Sequence, residues 1–208
     1  MSFNSSTVTK EVNKLLKIFF PESNLQLFFK NNKFFINGKV SSKAINNYEN
    51  DRKEINVIQW FDNFWVYVDI KLLFNEFRND FPNIFASISF FQGDEIDEIK
   101  NQLFRAEWDN YRDGNTKHPQ PHWHIYPVQY HHQAFDEYLK ATEEFVGFLS
   151  DERLHVIEIK RIHFAMNGQW DNGANEKSHH HEITEEKALV NWFIGLLNHI
   201  KTQLEYVS

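Results

Sequence analysis

The chain has 208 residues, 41% hydrophobic and 25% charged, which is the balance of a globular protein, and nothing in its middle reads as a Pro-, Gly- or Ser-rich linker. A formal charge of -7 disfavours non-specific nucleic-acid binding, which depends on Lys and Arg neutralising phosphates. With no cysteine, disulfides, thiolate metal sites, cysteine nucleophiles and thioester carriers are all excluded.

The expected architecture is a single α+β domain over residues 1–208: a mainly antiparallel sheet of hairpins and meander, packed by N-terminal, middle and C-terminal amphipathic helices. No apolar run approaches the length of a membrane span, and the opening residues lack a basic region followed by an apolar stretch. A cytoplasmic protein with no membrane association is therefore expected.

In chain order, Val8, Val12, Leu15, Leu16 and Phe19 recur at helical spacing until Pro21 stops the pattern. Residues 25–30 and 33–40 then form apolar runs around Asn31 and Asn32, which tolerate the positive φ of a tight hairpin turn. Residues 56–61 and 64–70 repeat this around Asp62 and Asn63, with Trp60 and Trp65 expected to pack across the hairpin. Residues 72–77 suit a short helix before Pro82, and residues 86–91 a strand ended by Gly93. The acidic run from Asp94 to Glu98 is expected to be a solvated helix start.

Residues 103–109 and 122–127 read as two strands joined by a long polar loop. Phe135, Leu139, Thr142, Val146 and Leu149 mark the middle helix, and residues 154–166 another strand. Residues 167–183 suit a flexible loop that ends in His179, His180 and His181. The stripe from Leu189 to Leu204 makes the C-terminal helix, with Thr184 as N-cap and Glu185 and Glu186 in its first turn.

The chemistry concentrates in a few of the 11 histidines. Alternate residues of a strand share a face, so Arg105, Glu107 and Asp109 lie together, as do His122 and His124. If the two strands pair, these five side chains meet. On the strand at residues 154–166, Arg161 and His163 also share a face and are candidates for the same site. His118 falls in the loop, separated from the pair by Pro119 and Pro121. His131, His132 and the run from His179 to His181 place neighbours on opposite faces of any strand, which makes solvated loops the plainer interpretation.

Two uses of this inventory follow. His122, His124 and Asp109 could ligate a divalent metal such as zinc, manganese or iron, leaving positions open for water. Without a metal, His122 and His124 could divide general-base and general-acid roles, with Glu107 and His163 in support and Arg105 or Arg161 stabilising a phosphoryl group. Either use suits a hydrolase of phosphate-containing substrates, of nuclease or phosphodiesterase type. The run approaches the motif of the histidine-triad nucleotide hydrolases, but Tyr126 occupies the place of the third histidine, so membership is not assigned. The alternatives are a non-catalytic subunit that holds a protein partner in a bacterial-type cytosolic assembly, and a metal-dependent small-molecule enzyme such as an oxygenase.

Overall fold

Helix α1 (Ser5–Phe19) starts where the Asn4 side chain accepts a hydrogen bond from the Thr7 amide at 3.1 Å, satisfying one of the amides a helix start leaves over. It buries Val8, Val12 and Leu16, one stripe at helical spacing. The computed structural model describes residues 3–48, 51–74, 81–109, 120–126 and 181–207.

Eight strands follow: β1 (Gln26–Lys30), β2 (Lys33–Asn37), β3 (Ser41–Tyr48), β4 (Asp51–Phe61), β5 (Phe64–Leu73), β6 (Asn83–Gln92), β7 (Ile99–Asp109) and β8 (His122–Ile125). Helix α2 (Glu186–Val207) completes the described elements. The strand order is β1-β2-β5-β4-β3-β7-β6, and β6 pairs back onto β5. Strands β5, β4, β3, β7 and β6 therefore close into a five-stranded barrel, with β1, β2 and β8 outside the ring. The α+β class holds. The simple meander does not, because β3 and β7 close the ring through a short parallel seam, Lys43 opposite Ile99 and Ala44 opposite Lys100.

One strand and the end of another escaped the sequence. Strand β3 is Ser-Ser-Lys-Ala-Ile-Asn-Asn-Tyr, too polar and too rich in Asn to signal a strand. Leu72 and Leu73, expected in a short helix, instead continue β5, where Leu72 pairs with Ile84 and Leu73 with Asn83. Pairing along the whole of β6 overrides local helix propensity there. The middle helix, the strand at 154–166 and nearly all of the loop at 167–183 lie outside the described residues.

The two hairpin turns are where the sequence puts them. Asn31 and Asn32 have φ of 52° and 58°, the left-handed pair that a two-residue turn needs, and Asp62 has φ of 44°. Trp60 and Trp65 do not pack together, however. Gln59 is the residue opposite Trp65, so Trp60 falls on the other face, where it meets Phe20, Phe61 and Phe90.

Alternation along the barrel strands builds two interiors. Outside the ring, Val66, Val68 and Ile70 of β5, Ile84, Ala86 and Ile88 of β6 and Phe104, Ala106 and Trp108 of β7 join the buried stripes of α1 and α2 in one large core. Asn13 ties α1 to β1 like a strand edge, its side chain donating to the Leu27 carbonyl and accepting from the Leu27 amide. The Asn4 amide also donates to Glu186 at 2.7 Å, joining the starts of the two helices. Helix α2 begins at Glu186, two residues past the expected cap Thr184.

Inside the ring, Ala44, Val57, Trp65 and Phe91 form a small apolar layer. Over it lies Lys100, almost wholly buried, with Nζ 4.7 Å from the Trp65 ring and bonded to the Asp97 carbonyl. The acidic run forms a turn over this lysine and not a helix. Gly93 permits it, since a Cβ there would stand 2.8 Å from Lys100 Cδ and 2.9 Å from an Asp97 carboxylate oxygen.

Candidate metal centre on strands β7 and β8

Beyond Lys100, the inward residues of β7 are Gln102, Arg105, Glu107 and Asp109. A bulge sets this register: Phe90 faces Phe104 and Phe91 faces Gln102, so Leu103 is the extra residue and joins Phe104 in the outer core. The charged face is therefore buried inside the barrel, with Arg105 at 1%, Glu107 at 6% and Asp109 at 4% exposure. Charges this deep need partners, and the strand arrangement sets Arg105 against Glu107 and the Asn47 carbonyl.

Strand β6 occupies one edge of β7 along its length, so β3 and β8 must share the other. Strand β3 pairs with the start of β7, then departs; β8 pairs from Phe104 to Glu107. At this fork, side chains replace the missing backbone ladder. Gln102 accepts from the backbone and side-chain nitrogens of Asn47, at 2.7 and 2.9 Å, and donates to Asn46 at 3.0 Å. Ser89 donates to the same Asn46 oxygen at 2.9 Å. The Asn47 carbonyl accepts from Arg105 and from the Tyr126 hydroxyl, both at 2.7 Å.

Strand β8 pairs antiparallel with β7, His122 opposite Glu107 and His124 opposite Arg105. Trp123 points the other way and packs edge-on against Phe104, with ring centroids 5.9 Å apart, which anchors the strand and presents both imidazoles to the charged face. Ile125, on the same side as Trp123, is half exposed.

The result brings Glu107, His122 and His124 together, with one ligand atom from each lying within 4.8 Å of the others. His122 Nε2 and His124 Nε2 are 2.7 Å apart. Each stands 3.8 Å from a different oxygen of Glu107, too far for a hydrogen bond. Bonds of about 2.1 Å to a tetrahedral ion would set such atoms about 3.4 Å apart. The imidazoles would thus part, and the carboxylate close in, each by less than about 1 Å. One carboxylate and two imidazoles are a donor set suited to zinc, iron or manganese.

Arg105 lies beside this group but is directed at it, not outward. Its guanidinium pairs with Glu107 at 3.1 Å, bonds Asn47 and stacks 4.5 Å over the Tyr48 ring. Burial holds the Tyr126 phenol above its ordinary pKa range, with Arg105 opposing and Glu107 reinforcing the shift. The hydroxyl therefore stays a donor at neutral pH.

Asp109, two residues along, faces Phe85 across the ladder, and its amide donates to the Gln120 side chain at 2.8 Å. The three-residue group contains Glu107 and not Asp109. The Gln120 carbonyl accepts from the His181 amide at 2.9 Å, and the His181 carbonyl accepts from the Trp108 indole. That fastens the chain entering α2 to the end of β7. Arg161, His163, His118, His131, His132, His179 and His180 lie outside the described residues. Asn47, Tyr48, Gln120 and Tyr126 were missed as site residues. The first two sit on the unread strand, and the others give no sequence signal beyond flanking the histidine pair.

No protein-family model, curated protein or solved structure matches the chain. Among the described residues, no helix is long and apolar enough to cross a membrane.

Proposed function

We propose that this protein is a metal-dependent hydrolase acting on a phosphate-containing substrate, with a divalent cation held by Glu107, His122 and His124. The carrying observation is the convergence of one carboxylate and two imidazoles within 4.8 Å on paired strands. Three protein ligands leave open positions, where such an ion lowers the pKa of bound water to about 7 and polarises a phosphoryl oxygen. Arg105 already offsets the charge of Glu107, so the charge of the cation remains available to an anionic substrate. With Arg105 committed to Glu107 and Asn47, the ion and not this arginine is the group that meets the phosphoryl oxygens.

The same donor set favours a second reading, an iron-dependent oxygenase, since two histidines and a carboxylate are the ligands of that class. Metal content and oxygen consumption separate the two. The test is elemental analysis of protein purified without a histidine tag, followed by hydrolysis of bis(p-nitrophenyl) phosphate with and without chelator. One equivalent of metal, with hydrolysis lost in His122→Ala and His124→Ala, is the expected result. Stoichiometric iron with oxygen-dependent turnover would favour the second reading. Protein that neither retains nor takes up a divalent ion would overturn both and favour the partner-holding role.

A further inference from the structure

Residues directly opposite one another on paired strands share a face, so register carries the inner face of the barrel outward onto the β1–β2 hairpin. One row runs from Lys30 to Lys33, Lys71, Phe85 and Asp109, across β1, β2, β5, β6 and β7. Glu107 lies two residues along β7 on the same face, with His122 opposite it. On the hairpin the alternate residues Leu27, Phe34 and Ile36 are buried in the main core, which leaves this face to water. It carries two aromatic rings there all the same. Phe28 and Phe35 are direct partners, stacked with centroids 5.8 Å apart and planes 18° apart, and they remain 38% and 41% exposed. Neither belongs to the core. A paired aromatic patch left in water beside lysines has no role in holding the fold and is suited to a ligand with flat rings and negative charge.

We propose that this face binds single-stranded nucleic acid, with bases stacking on Phe28 and Phe35 and phosphates following Lys30, Lys33 and Lys71 toward Glu107, His122 and His124. Binding rests on the face alone; cleavage rests on the hydrolase reading above, which this deepens by naming an oligonucleotide as the substrate. The formal charge of -7 belongs to the whole chain. On β1, β2 and β5 this face carries three lysines against one carboxylate, Asp69, which Lys71 pairs at 2.6 Å. The Lys71 side chain is still 36% exposed, so a phosphate can compete with Asp69 for its ammonium. From β2 to β7 is three strand steps, about 14 Å along the sheet, or about four nucleotides at the stacked rise of about 3.4 Å. A strand held on the hairpin therefore reaches the candidate metal centre within a short site. Hydrolysis there joins a water oxygen to phosphorus and breaks one P–O ester bond, the released alcohol oxygen taking up a proton from that water.

The probe is a fluorescein-labelled twelve-residue oligothymidylate, titrated with the full chain in EDTA and read by anisotropy. Saturable binding is expected, with log affinity falling against log salt at a slope of about -2, the value for three lysines on a single strand. Phe28→Ala and Phe35→Ala should each weaken binding by at least about fivefold, the lower end of what one stacked base contributes. Lys30→Gln and Lys33→Gln should each reduce the salt slope by about 0.7. All four side chains are exposed, and circular dichroism checks that the variants keep the fold. Absence of saturable binding at 50 mM salt, or binding that the phenylalanine variants leave unchanged, would overturn the proposal. So would equal affinity for a duplex or for polyglutamate of the same length, which would make the face a general anion surface or a dock for an acidic protein. A dimer in sedimentation that Phe35→Ala dissociates would overturn it as well, in favour of a second copy of this chain. Metal-dependent hydrolysis of bis(p-nitrophenyl) phosphate without oligonucleotide binding would strike this inference alone, and oligonucleotide binding by a protein that takes up no metal would support the face and strike only the hydrolase reading.

Discussion

His122 Nε2 and His124 Nε2 stand 2.7 Å apart, close enough that one imidazole donates a hydrogen bond to the other. Two residues of one strand face share this spacing because Trp123 between them is drawn to Phe104 on the opposite side. A divalent cation would replace that shared hydrogen and separate the rings. Zn²⁺ at 100 times its dissociation constant should then stabilise the wild type by about 2.7 kcal/mol, since only the folded chain assembles the three ligands. His122→Ala and His124→Ala should abolish this gain. In chelator they should unfold within about 1 kcal/mol of wild type, because neither imidazole belongs to the apolar core. Urea titrations with and without Zn²⁺ check both statements, and an undiminished gain in the variants would remove these histidines from the site.

Arg105 and Glu107 are buried together, so removing one leaves the other without its counter-charge. Glu107→Leu should cost about 3–5 kcal/mol in chelator, whereas Arg105→Met combined with Glu107→Leu should recover most of that loss. The Asn47 carbonyl keeps the Tyr126 hydroxyl in the double variant, which limits the damage to the fork. A double-mutant cycle in urea reads the coupling. Additive losses would mean that the pair contributes little as a pair.

Much of this site was legible from alternation alone. Placing Arg105 and Glu107 on one face and His122 and His124 on another needs only the period of a strand, and the pairing of β7 with β8 then joins them. What alternation does not carry is which face is inside. A face of Arg, Glu and Asp resembles a solvent face, and only the closure of β3 onto β7 turns it into an interior. That closure was invisible because β3 is spelled in Ser, Lys and Asn, whose strand propensity is poor and whose value here lies in side-chain bonds to Gln102 and Ser89. Helices α1 and α2 were easier, since their apolar stripes face one large core. Their contact through Asn4 and Glu186 joins residues far apart in the chain and has no local signature.

The turn between β1 and β2 offers a local test of register. Asn31 and Asn32 both adopt positive φ, and strands β1 and β2 pair without a break from Lys30 opposite Lys33 to Gln26 opposite Asn37. Asn32→Gly should raise stability by a few tenths of a kcal/mol, while Asn32→Val should lower it by roughly 1–2 kcal/mol, the cost of forcing a branched residue into the left-handed region. Thermal unfolding of the two variants distinguishes this from a turn that tolerates any residue.

Alkaline pH tests the packing of the barrel interior from the opposite direction. Burial, reinforced by the nearby Asp69 carboxylate, pushes the Tyr67 phenol up to about 12. An unfolded tyrosine ionises near pH 10, so between about pH 10 and about pH 12 the unfolded chain has released a proton that the folded chain retains. A folded pKa raised above the unfolded value contributes stability that is fully present below the unfolded pKa and is lost as pH rises through the folded one. Wild-type stability should therefore fall across that window more steeply than that of Tyr67→Phe, which has no phenol to titrate. Comparing urea midpoints of the two proteins from neutral pH upward cancels the tyrosines they share. Parallel curves would show that Tyr67 ionises as readily folded as unfolded, and so that water reaches the interior beside Asp69.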